Sequence, residues 1–578
     1  MTIKRLTWQE TQPITDHISS LLDNLTLEAD LLTLQPRIQS ALSMLCPTNR
    51  KTYQPRFMLL KAPESQLFFS LLHHSIESIL PPSVQMGFAY HINDRKITLS
   101  PAKSKQDNFA AIDRCQFSTW IDHERLFGCV RQPEDNLFKL QPGLVHNVNG
   151  GVLILGLRTL LSQPNIWARL KNMVMSGEYE WFSTDDANPL PITIPAMPLD
   201  LRIVLVGDRL SMAELQEDDP EFYESALYAE FENELVIKSD DDIKKWSAYV
   251  KFLASYQQLP NINHSAISEL IKAGTQYTED QSLIPLLPDW LNNQLTYAAQ
   301  VAVDDIDASA VNIAIEQKNW RENYLVERFR EAIFTNQVMI NTKEQVVGQI
   351  NGLSVVEYPG HPKAIGEPTR LSCLIHFGDG EFIDIERKNE LAGNIHSKGM
   401  MIMQSFITSE FALTHQLPFS ASLVFEQSYN EVDGDSASLA GLCVLISALS
   451  GQPIDQQLAV TGSVDQFGHV QAIGGVNEKI AGFFAVCQNQ GLTGQQGVII
   501  PSSNQRHLCL NNDITTAIKN EQFSIWTVDN VADALYLLTG IAYRDENTIS
   551  LYKLIQARIQ MTISHEKRPT GWFHKWRK

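Results

Sequence analysis

The 578-residue sequence has no pair of cysteines at the C-x-x-C spacing used by zinc sites and redox-active disulfides. Its cysteines are odd in number and scattered, which suits a reducing compartment without disulfides or a zinc site. They are Cys46, Cys115, Cys129, Cys373, Cys443, Cys487 and Cys509. No apolar run approaches the length that spans a membrane, and residues 2–30 are too polar for a signal peptide. We therefore expect a cytoplasmic protein without a transmembrane segment.

The lack of excess positive charge and of a zinc-hydrolase motif reduces the range of possible functions. Basic residues are outnumbered by acidic ones, and the formal net charge of −20 argues against nucleic-acid binding as the main function. The sequence contains no His-Glu-x-x-His motif, so zinc-dependent hydrolysis is disfavoured and we expect neither a metal nor a cofactor. The chain is too long for a single core, so its length predicts two or three domains.

What the sequence does contain is a serine between a tight turn and an apolar helix. The turn is Asp433-Gly434-Asp435, and Ser436 opens a run of small and apolar residues that predicts a buried helix. One interpretation is an N-cap, in which Asp435 or Ser436 accepts a backbone N–H, the commoner use of such a residue. The other is a nucleophile at a helix N-terminus, where unpaired N–H groups stabilise an oxyanion. The Gly-x-Ser-x-Gly motif of serine hydrolases does not decide between these two interpretations, because Ser438 stands in place of its second glycine.

A second segment, residues 459–486, combines a β-rich stretch, a Gly474-Gly475 turn and a helix predicted from about Asn477. Lys479 falls in the first turn of that helix, where a lysine is unfavourable against the helix dipole. One interpretation is a solvated surface lysine, the usual state of this residue type. The other is a functional lysine whose position against the dipole helps to keep it neutral.

Together the two segments closely resemble the proteolytic domain of Lon-family peptidases, in the branch with EGDSAS-type motifs. The serine motif is VDGDSAS at residues 432–438, and the lysine motif is IGGVNEK at residues 473–479. The similarity covers about residues 320–540, through GQINGLSVVEYPGHP, DIERKNELAGNIHSKGMMIM and GVIIPSSN. It implies an α+β protease domain with a Ser-Lys dyad. Ser436 would attack the peptide carbonyl, and Lys479 would take its proton.

The same resemblance implies supporting roles for four residues. Thr461 would hydrogen-bond the lysine amine and orient it, although an ordinary strand threonine is an equal interpretation. The carboxylate of Asp435 would raise the pKa of the lysine and hold the resting site inactive, or act as a cap. His396 and Lys398, in the IHSKG motif, would have a structural or substrate-positioning role. No His–Asp pair stands at a recognisable spacing from Ser436, so a Ser-His-Asp triad is disfavoured.

The N-terminal half alternates apolar strands with helices, which predicts a parallel α/β sheet. The predicted strands are Arg56–Ala62, Asn149–Leu157 and Leu201–Gly207. This half weakly resembles an AAA+ ATPase domain, but Ala62–Gln66, at the place of the phosphate loop, has no glycine and no Lys-Ser/Thr pair. Gly156 and Leu157 stand where the family has its Asp-Glu pair, and Glu221–Phe231 has no basic residue to act as an arginine finger. We expect an AAA+-like module without nucleotide chemistry.

The predicted fold class is an α/β AAA+-like parallel-sheet module with a helical subdomain, followed by an α+β Lon-type protease domain. The predicted domains are an N-terminal helical segment over residues 1–53, the AAA+-like domain over 54–242, the helical subdomain and connector helix over 243–336, the Lon proteolytic domain over 337–545, and a C-terminal tail over 546–578. In that tail Trp572, Phe573 and Trp576 alternate with basic residues. This pattern fits an interfacial anchor, but we favour packing on the protein itself or on a neighbouring subunit.

Taken together, these features predict a serine endopeptidase that hydrolyses unfolded or flexible proteins without ATP. The resemblance implies a homohexameric ring that holds the protease sites inside a chamber. Two alternatives are open. One is an ATP-dependent protease with its nucleotide site elsewhere in the sequence, and the other is a non-proteolytic polypeptide-binding module.

Overall fold

The structure is a computed structural model that describes the chain except residues 1–2, 16, 24–26, 48–53, 81–86, 94–95, 105–106, 111–112, 132–137, 184–186, 414–416, 429–431 and 567–578. The aromatic and basic tail motif predicted above lies outside the described residues. The chain forms two compact units. The N-terminal unit comprises Ser19–Ile267 and Pro285–Ala310, and the C-terminal unit comprises Met1–Ile18, Ser268–Ile284 and Val311–Lys578. Because both units combine separate stretches, the domain bounds predicted from the sequence stay a prediction.

The secondary-structure elements are numbered in chain order. The strands are β1 (Lys4–Arg5), β2 (Phe57–Lys61), β3 (Phe88–Asn93), β4 (Lys96–Pro101), β5 (Cys115–Ser118), β6 (Cys129–Arg131), β7 (Lys139–Gln141), β8 (Val152–Gly156), β9 (Glu178–Tyr179), β10 (Met197–Pro198), β11 (Arg202–Gly207), β12 (Leu227–Glu230), β13 (Glu234–Val236), β14 (Leu283–Pro285), β15 (Gln345–Val346), β16 (Gln349–Val356), β17 (Ile365–Gly380), β18 (Phe382–Asp384), β19 (Leu417–Phe425), β20 (Ile454–Asp455), β21 (Leu458–Val460), β22 (Ser463–Val464), β23 (Val470–Gln471), β24 (Gly497–Pro501) and β25 (Ser524–Val528). The α-helices are α1 (Ile18–Leu22), α2 (Pro36–Leu45), α3 (Gln66–Ile79), α4 (His123–Phe127), α5 (Leu144–Asn147), α6 (Leu157–Leu161), α7 (Pro164–Ser176), α8 (Arg209–Asp218), α9 (Pro220–Ser225), α10 (Asp240–Tyr256), α11 (His264–Thr278), α12 (Pro288–Val301), α13 (Ala308–Glu322), α14 (Tyr324–Phe334), α15 (Ile385–Lys388), α16 (Asn394–Glu410), α17 (Ser438–Ser450), α18 (Val476–Gln490), α19 (Asn512–Lys519), α20 (Val531–Thr539) and α21 (Leu551–Glu566). Short 3₁₀ helices cover Trp8–Thr11, Leu32–Leu34 and Ser502–His507.

The N-terminal unit is built on a five-stranded sheet in the order β12-β2-β11-β8-β5. Every neighbouring pair in this sheet is parallel. Strands β8 and β11 are buried along their whole length, as expected for a parallel sheet covered on both faces. The predicted α/β parallel-sheet module is therefore confirmed. Strands β2, β8 and β11 end at the same edge of the sheet, so the residues that follow them meet there.

The C-terminal unit is built on a mixed eight-stranded sheet in the order β1-β25-β24-β21-β16-β17-β19-β18. The pairs from β25 to β16 are parallel, and those from β16 to β19 are antiparallel. The sequence analysis did not foresee edge strand β1 within the predicted N-terminal helical segment. In that strand Lys4 lies opposite Thr527. A two-residue strand is too short to leave a periodic pattern in the sequence.

Helix α17 is buried at every one of its thirteen positions, because it packs against strands β16 and β17 and helix α21. Helix α18 begins one residue before the predicted start, and it packs against β17. Two glycines permit this contact. A side-chain carbon added to Gly366 would lie 1.8 Å from the carbonyl oxygen of Glu478, and one added to Gly482 would lie 2.3 Å from the carbonyl oxygen of Gly366. The close approach of β17 fixes the position of α18 and of the lysine it carries.

None of the helices in the described part of the chain combines the length and the hydrophobicity that crossing a membrane requires.

Candidate active site

The two residues predicted to carry the chemistry lie next to each other, although 43 positions separate them in the sequence. Ser436 is half-buried just before α17, and Lys479 is buried in the first turn of α18. The Nζ atom of Lys479 donates a hydrogen bond to the Oγ atom of Ser436 at 2.9 Å. A hydroxyl and an amine at this distance can exchange a proton directly.

Lys479 lies in surroundings that favour its neutral form. Its side chain is only 3% exposed, and the same helix contributes the buried residues Ile480 and Phe483 to the apolar core. Burial lowers the pKa of Lys479 from the ordinary value of 10.5 to about 8, while the nearby carboxylates of Asp435 and Glu478 act in the opposite direction. The lysine is therefore much closer to neutrality at physiological pH than a surface lysine.

The backbone of Ser436 is held by the chain that follows strand β21. The carbonyl oxygen of Ser436 accepts a hydrogen bond from the N–H of Gly462 at 2.8 Å. It also accepts one from the hydroxyl of Thr461 at 3.3 Å. Thr461 was predicted to hydrogen-bond the lysine amine, and that role stays a prediction. In the structure its hydroxyl donates to the serine backbone, so it supports the position of the nucleophile.

The structure contradicts the N-cap interpretation of the serine segment. Helix α17 begins at Ser438, and its N-cap is Ala437, which makes no side-chain hydrogen bond. The carboxylate of Asp435 accepts a bond from the hydroxyl of Ser463 at 2.8 Å, and the hydroxyl of Ser438 accepts one from a backbone N–H at 3.0 Å. The charge of Asp435 raises the pKa of Lys479 against the effect of burial, while its predicted role in holding the resting site inactive stays a prediction. Ser438 has a structural partner of its own.

The helix start offers fewer free donors than the sequence suggested. The N–H of Ser438 donates to the carbonyl of Asp435 at 2.9 Å, and the N–H of Leu439 donates to the carbonyl of Gly462 at 3.1 Å. These two groups are already occupied. They are not available to bind an oxyanion formed at Ser436.

His396 and Lys398 are on helix α16, and the contacts of His396 are with residues other than the dyad. His396 is 4% exposed, and its ring packs edge-on against Phe425 with 5.5 Å between centroids. Its Nε2 atom lies 3.3 Å from a carboxylate oxygen of Asp384. Lys398 is exposed on the same helix. Asp384 and the neighbouring buried Glu386 were not predicted as site residues, although both lie in a segment that carried the family resemblance.

In the N-terminal unit, an ion cluster occupies the sheet edge where a nucleotide phosphate would bind. Glu64 follows β2, Arg158 follows β8 and Asp208 follows β11. The guanidinium of Arg158 hydrogen-bonds Asp208 and lies 3.9 Å from Glu64. A side-chain carbon added to Gly156 would lie 2.8 Å from a carboxylate oxygen of Glu64. These residues do not fit a nucleotide, because a carboxylate already fills the space above β8.

Comparisons with known proteins agree with this architecture. Residues 117–232 match the family model of a LonB-like AAA domain. Residues 428–539 match the model of the Lon protease (S16) C-terminal proteolytic domain. Helices α17 and α18, with both dyad residues, lie inside the second match.

Individual relatives extend the similarity over the whole chain. A putative Lon protease homolog of Escherichia coli strain K12 is 46% identical over 583 residues, which cover 100% of this chain and 99% of that protein. The corresponding protein of Haemophilus influenzae is 42% identical over 88% of this chain and 86% of its own. An archaeal Lon protease of Methanocaldococcus jannaschii is 32% identical over 29% of this chain and 25% of its own. With matching models in both halves and full-length similarity of this level, the chain belongs to the Lon protease family.

Proposed function

We propose that the chain is a serine endopeptidase in which Ser436 is the nucleophile and Lys479 is the general base. The observation that carries this proposal is the 2.9 Å hydrogen bond from Nζ of Lys479 to Oγ of Ser436, made by a lysine whose pKa burial lowers to about 8. At pH 7.5 about a quarter of such a lysine is neutral, against about 0.1% of a lysine with the ordinary pKa. The surroundings therefore increase the amount of active base by roughly two hundredfold.

The reaction would proceed in two stages. Oγ of Ser436 attacks the carbonyl carbon of the peptide bond while the amine of Lys479 takes the hydroxyl proton. The resulting ammonium then gives this proton to the leaving amine, and an acyl group remains on Ser436. In the second stage the neutral lysine accepts a proton from water, which attacks the acyl carbon. The bond to Oγ of Ser436 then breaks, the ammonium returns the proton to Oγ, and the carboxylic acid product leaves. Thr461 and Gly462 support both stages, because they hold the carbonyl of Ser436 in place.

We also propose that hydrolysis does not need ATP. Phosphate binding requires backbone N–H groups and a cation close to the phosphates. At the corresponding sheet edge the described residues present Glu64, which is paired with Arg158 and lies close above Gly156. Without ATP hydrolysis there is no power stroke, so the substrates are unfolded or flexible chains, and stably folded proteins resist degradation.

The assembly rests on the family alone. We propose a homohexameric ring, with the dyads facing an inner chamber that only flexible polypeptides enter. The proposed cytoplasmic location rests on the scattered cysteines and on the absence of a long apolar run in the sequence. Native mass spectrometry of the full-length protein tests the assembly. A mass of six chains is expected, and a monomer at working concentration would contradict the ring.

Four variants test the dyad in an assay with a casein-like unfolded substrate. Because the two residues act as a unit, Ser436→Ala, Lys479→Ala and the double variant should all fall to a similar residual rate. The matched control is Ser438→Ala, two residues from the nucleophile. It loses a hydrogen bond worth about 1 kcal/mol of stability but should keep most of the activity. An inactive Ser438→Ala together with an active Ser436→Ala would refute the assignment.

A parallel measurement tests the independence from ATP. Degradation of the casein-like substrate and phosphate release are recorded together, with and without ATP and Mg²⁺. We expect equal degradation in both conditions. Stimulation of several-fold, with phosphate release that tracks it, would show that the N-terminal unit is a working ATPase.

A further inference from the structure

Three titratable side chains form a cluster in the C-terminal unit, away from the hydrogen-bonded Ser436 and Lys479. Asp384 ends strand β18, Glu386 lies in the short helix α15, and His396 lies in the first turn of α16. Each of the three residues is at least nine-tenths buried. Nε2 of His396 lies 3.3 Å from Oδ2 of Asp384. We call these three residues the acid–histidine cluster.

Burial of the acid–histidine cluster destabilises the folded state. Oδ2 of Asp384, Oε2 of Glu386 and Nε2 of His396 are all buried, and none has a well-directed hydrogen bond within the described part of the chain. Burial, together with the negative charge of Asp384, raises the pKa of Glu386, so the surroundings disfavour its ionised form. Buried polar atoms in natural proteins are nearly always paired. Three buried atoms without a well-directed hydrogen bond, two of them 3.3 Å apart, therefore indicate a role other than stability.

The contacts of the acid–histidine cluster lead to one end of the loop that carries the nucleophile. Phe425 is the last residue of β19, and the chain runs from it towards Ser436. Oε1 of Glu386 accepts a hydrogen bond from the N–H of Phe425 at 2.9 Å. The ring of His396 packs against the ring of Phe425. The side chains of the cluster thus hold both the backbone and the ring of Phe425.

The same segment also holds the other end of that loop. The carbonyl of Glu386 accepts the N–H of Leu391 at 2.9 Å, and the carbonyl of Leu391 accepts the N–H of Val432 at 2.7 Å. The carbonyl of Val432 accepts the N–H of Gly393 at 3.0 Å. A carboxylate oxygen of Asp433 accepts two backbone N–H groups in the first turn of α16, at 3.1 and 3.4 Å. Glu386 is therefore connected to both ends of the loop, through its side chain and through its backbone.

We propose that Glu386 is a positioning residue, which with Asp384 and His396 holds Phe425 and Val432–Ser436, the two described ends of the segment that carries the nucleophile, so that the serine meets Lys479. This proposal rests on the proposed Ser-Lys peptidase. Ser436 follows Asp433 by three residues, so a shift of Asp433 moves Oγ of Ser436 away from Nζ of Lys479. A displacement of about 1 Å at a reacting atom can lower a rate by as much as a hundredfold.

The first readout is hydrogen exchange of the full-length protein, which does not depend on activity. Glu386→Ala removes the acceptor of the Phe425 amide, so this amide should lose protection. Glu386→Gln keeps an oxygen of the same size and reach, and should restore the protection. The matched control is Glu381→Ala, which removes an exposed glutamate that pairs with Lys388 on the surface and should leave the amide protected.

The second readout is the peptidase rate per active site as a function of pH, with active sites counted by a serine-reactive phosphonate. In Glu386→Ala the rate per site should fall roughly tenfold to a hundredfold. Its pH midpoint should move upward, because a displaced loop leaves Lys479 better hydrated. Glu386→Gln should restore most of both values. A purely structural role would reduce only the number of titrated sites, leaving the rate per site and the midpoint unchanged.

Each outcome decides the proposal. Unchanged exchange at Phe425 in Glu386→Ala overturns it, whatever the activity. Lost protection with an unchanged rate per site and an unchanged midpoint also overturns it, because the bond then exists without positioning the nucleophile. If wild type and Ser436→Ala are equally active or equally inactive, the proposed peptidase mechanism fails, and with it the positioning role, while exchange still reports whether Glu386 holds Phe425.

Discussion

The charge of Asp435 should set the pH at which the enzyme works. This carboxylate opposes the effect of burial and keeps the pKa of Lys479 higher than burial alone would. Asp435→Asn removes the charge but preserves the size of the side chain and an oxygen that can accept the hydroxyl of Ser463. The pKa of Lys479 should therefore fall. Because the base acts only when neutral, the rising limb of the pH–rate profile should move to lower pH.

The size of the effect has an upper limit. With a pKa of about 8, about one tenth of Lys479 is neutral at pH 7. Complete neutralisation can therefore increase the rate at pH 7 by no more than about tenfold. At pH 9 and above nearly all of the lysine is already neutral in the wild type, so the two profiles should converge. The increase in rate of Asp435→Asn over the wild type should therefore be measured between about pH 6 and pH 8.

The assay is the initial rate of cleavage of a short unstructured peptide from pH 6 to pH 10, normalised to active sites. Glu478→Gln provides an internal comparison, because this residue also raises the pKa of Lys479 but contributes less than Asp435. It should shift the midpoint in the same direction by a smaller amount. The exposed Asp513→Asn is the control and should leave the midpoint in place. An Asp435→Asn profile with an unchanged or higher midpoint would refute the argument.

Three further changes test the structure around the site by thermal unfolding and activity. Lys479→Met should raise the free energy of unfolding at pH 7 by up to about 3 kcal/mol, since the ammonium no longer has to be buried. Because the pKa of Lys479 is lowered in the folded state, this difference should vanish as the pH rises from about 8 towards 10.5. A difference that stays constant with pH would contradict this prediction. Gly366→Ala should cost about 1–3 kcal/mol and lower activity, because its methyl group would displace the backbone at Glu478; full activity and stability would contradict the close approach. Arg558→Ala should cost about 1.5–3 kcal/mol, because Arg558 donates to two carbonyls at the end of α17, and an unchanged unfolding temperature would contradict this role.

Much of the fold could be predicted from the sequence. Long, fully apolar strands such as Val152–Gly156 are recognisable because burial on both faces requires an uninterrupted apolar run. The small and apolar residues of α17 predicted a buried helix for the same reason, although its start was placed two residues too early. The two-residue strand at Lys4 could not be predicted, because its partner at Thr527 lies at the other end of the chain.

The candidate site was predicted from the two family sequence motifs and not from hydrophobic periodicity. The juxtaposition of Ser436 and Lys479 depends on strands and helices that pack across the sheet, and no periodicity contains that information. The direction of individual hydrogen bonds was harder to predict. Thr461 donates to a backbone carbonyl because the carbonyl of Ser436 lies close to it at the end of β21. The roles assigned to these residues in catalysis stay predictions until the variants are measured.

The ion cluster of Glu64, Arg158 and Asp208 links the ends of strands β2, β8 and β11 in the N-terminal unit. Removing Arg158 would leave two neighbouring carboxylates without their shared cation. Removing Glu64 alone would open the space above Gly156 but leave Arg158 bound to Asp208, and no carboxylate would be available for Mg²⁺ at the end of β8. Under the proposed independence from ATP, restoring a nucleotide site here would therefore take several simultaneous substitutions. The three side chains are energetically coupled, so substitution of any one of them changes the surroundings of the other two.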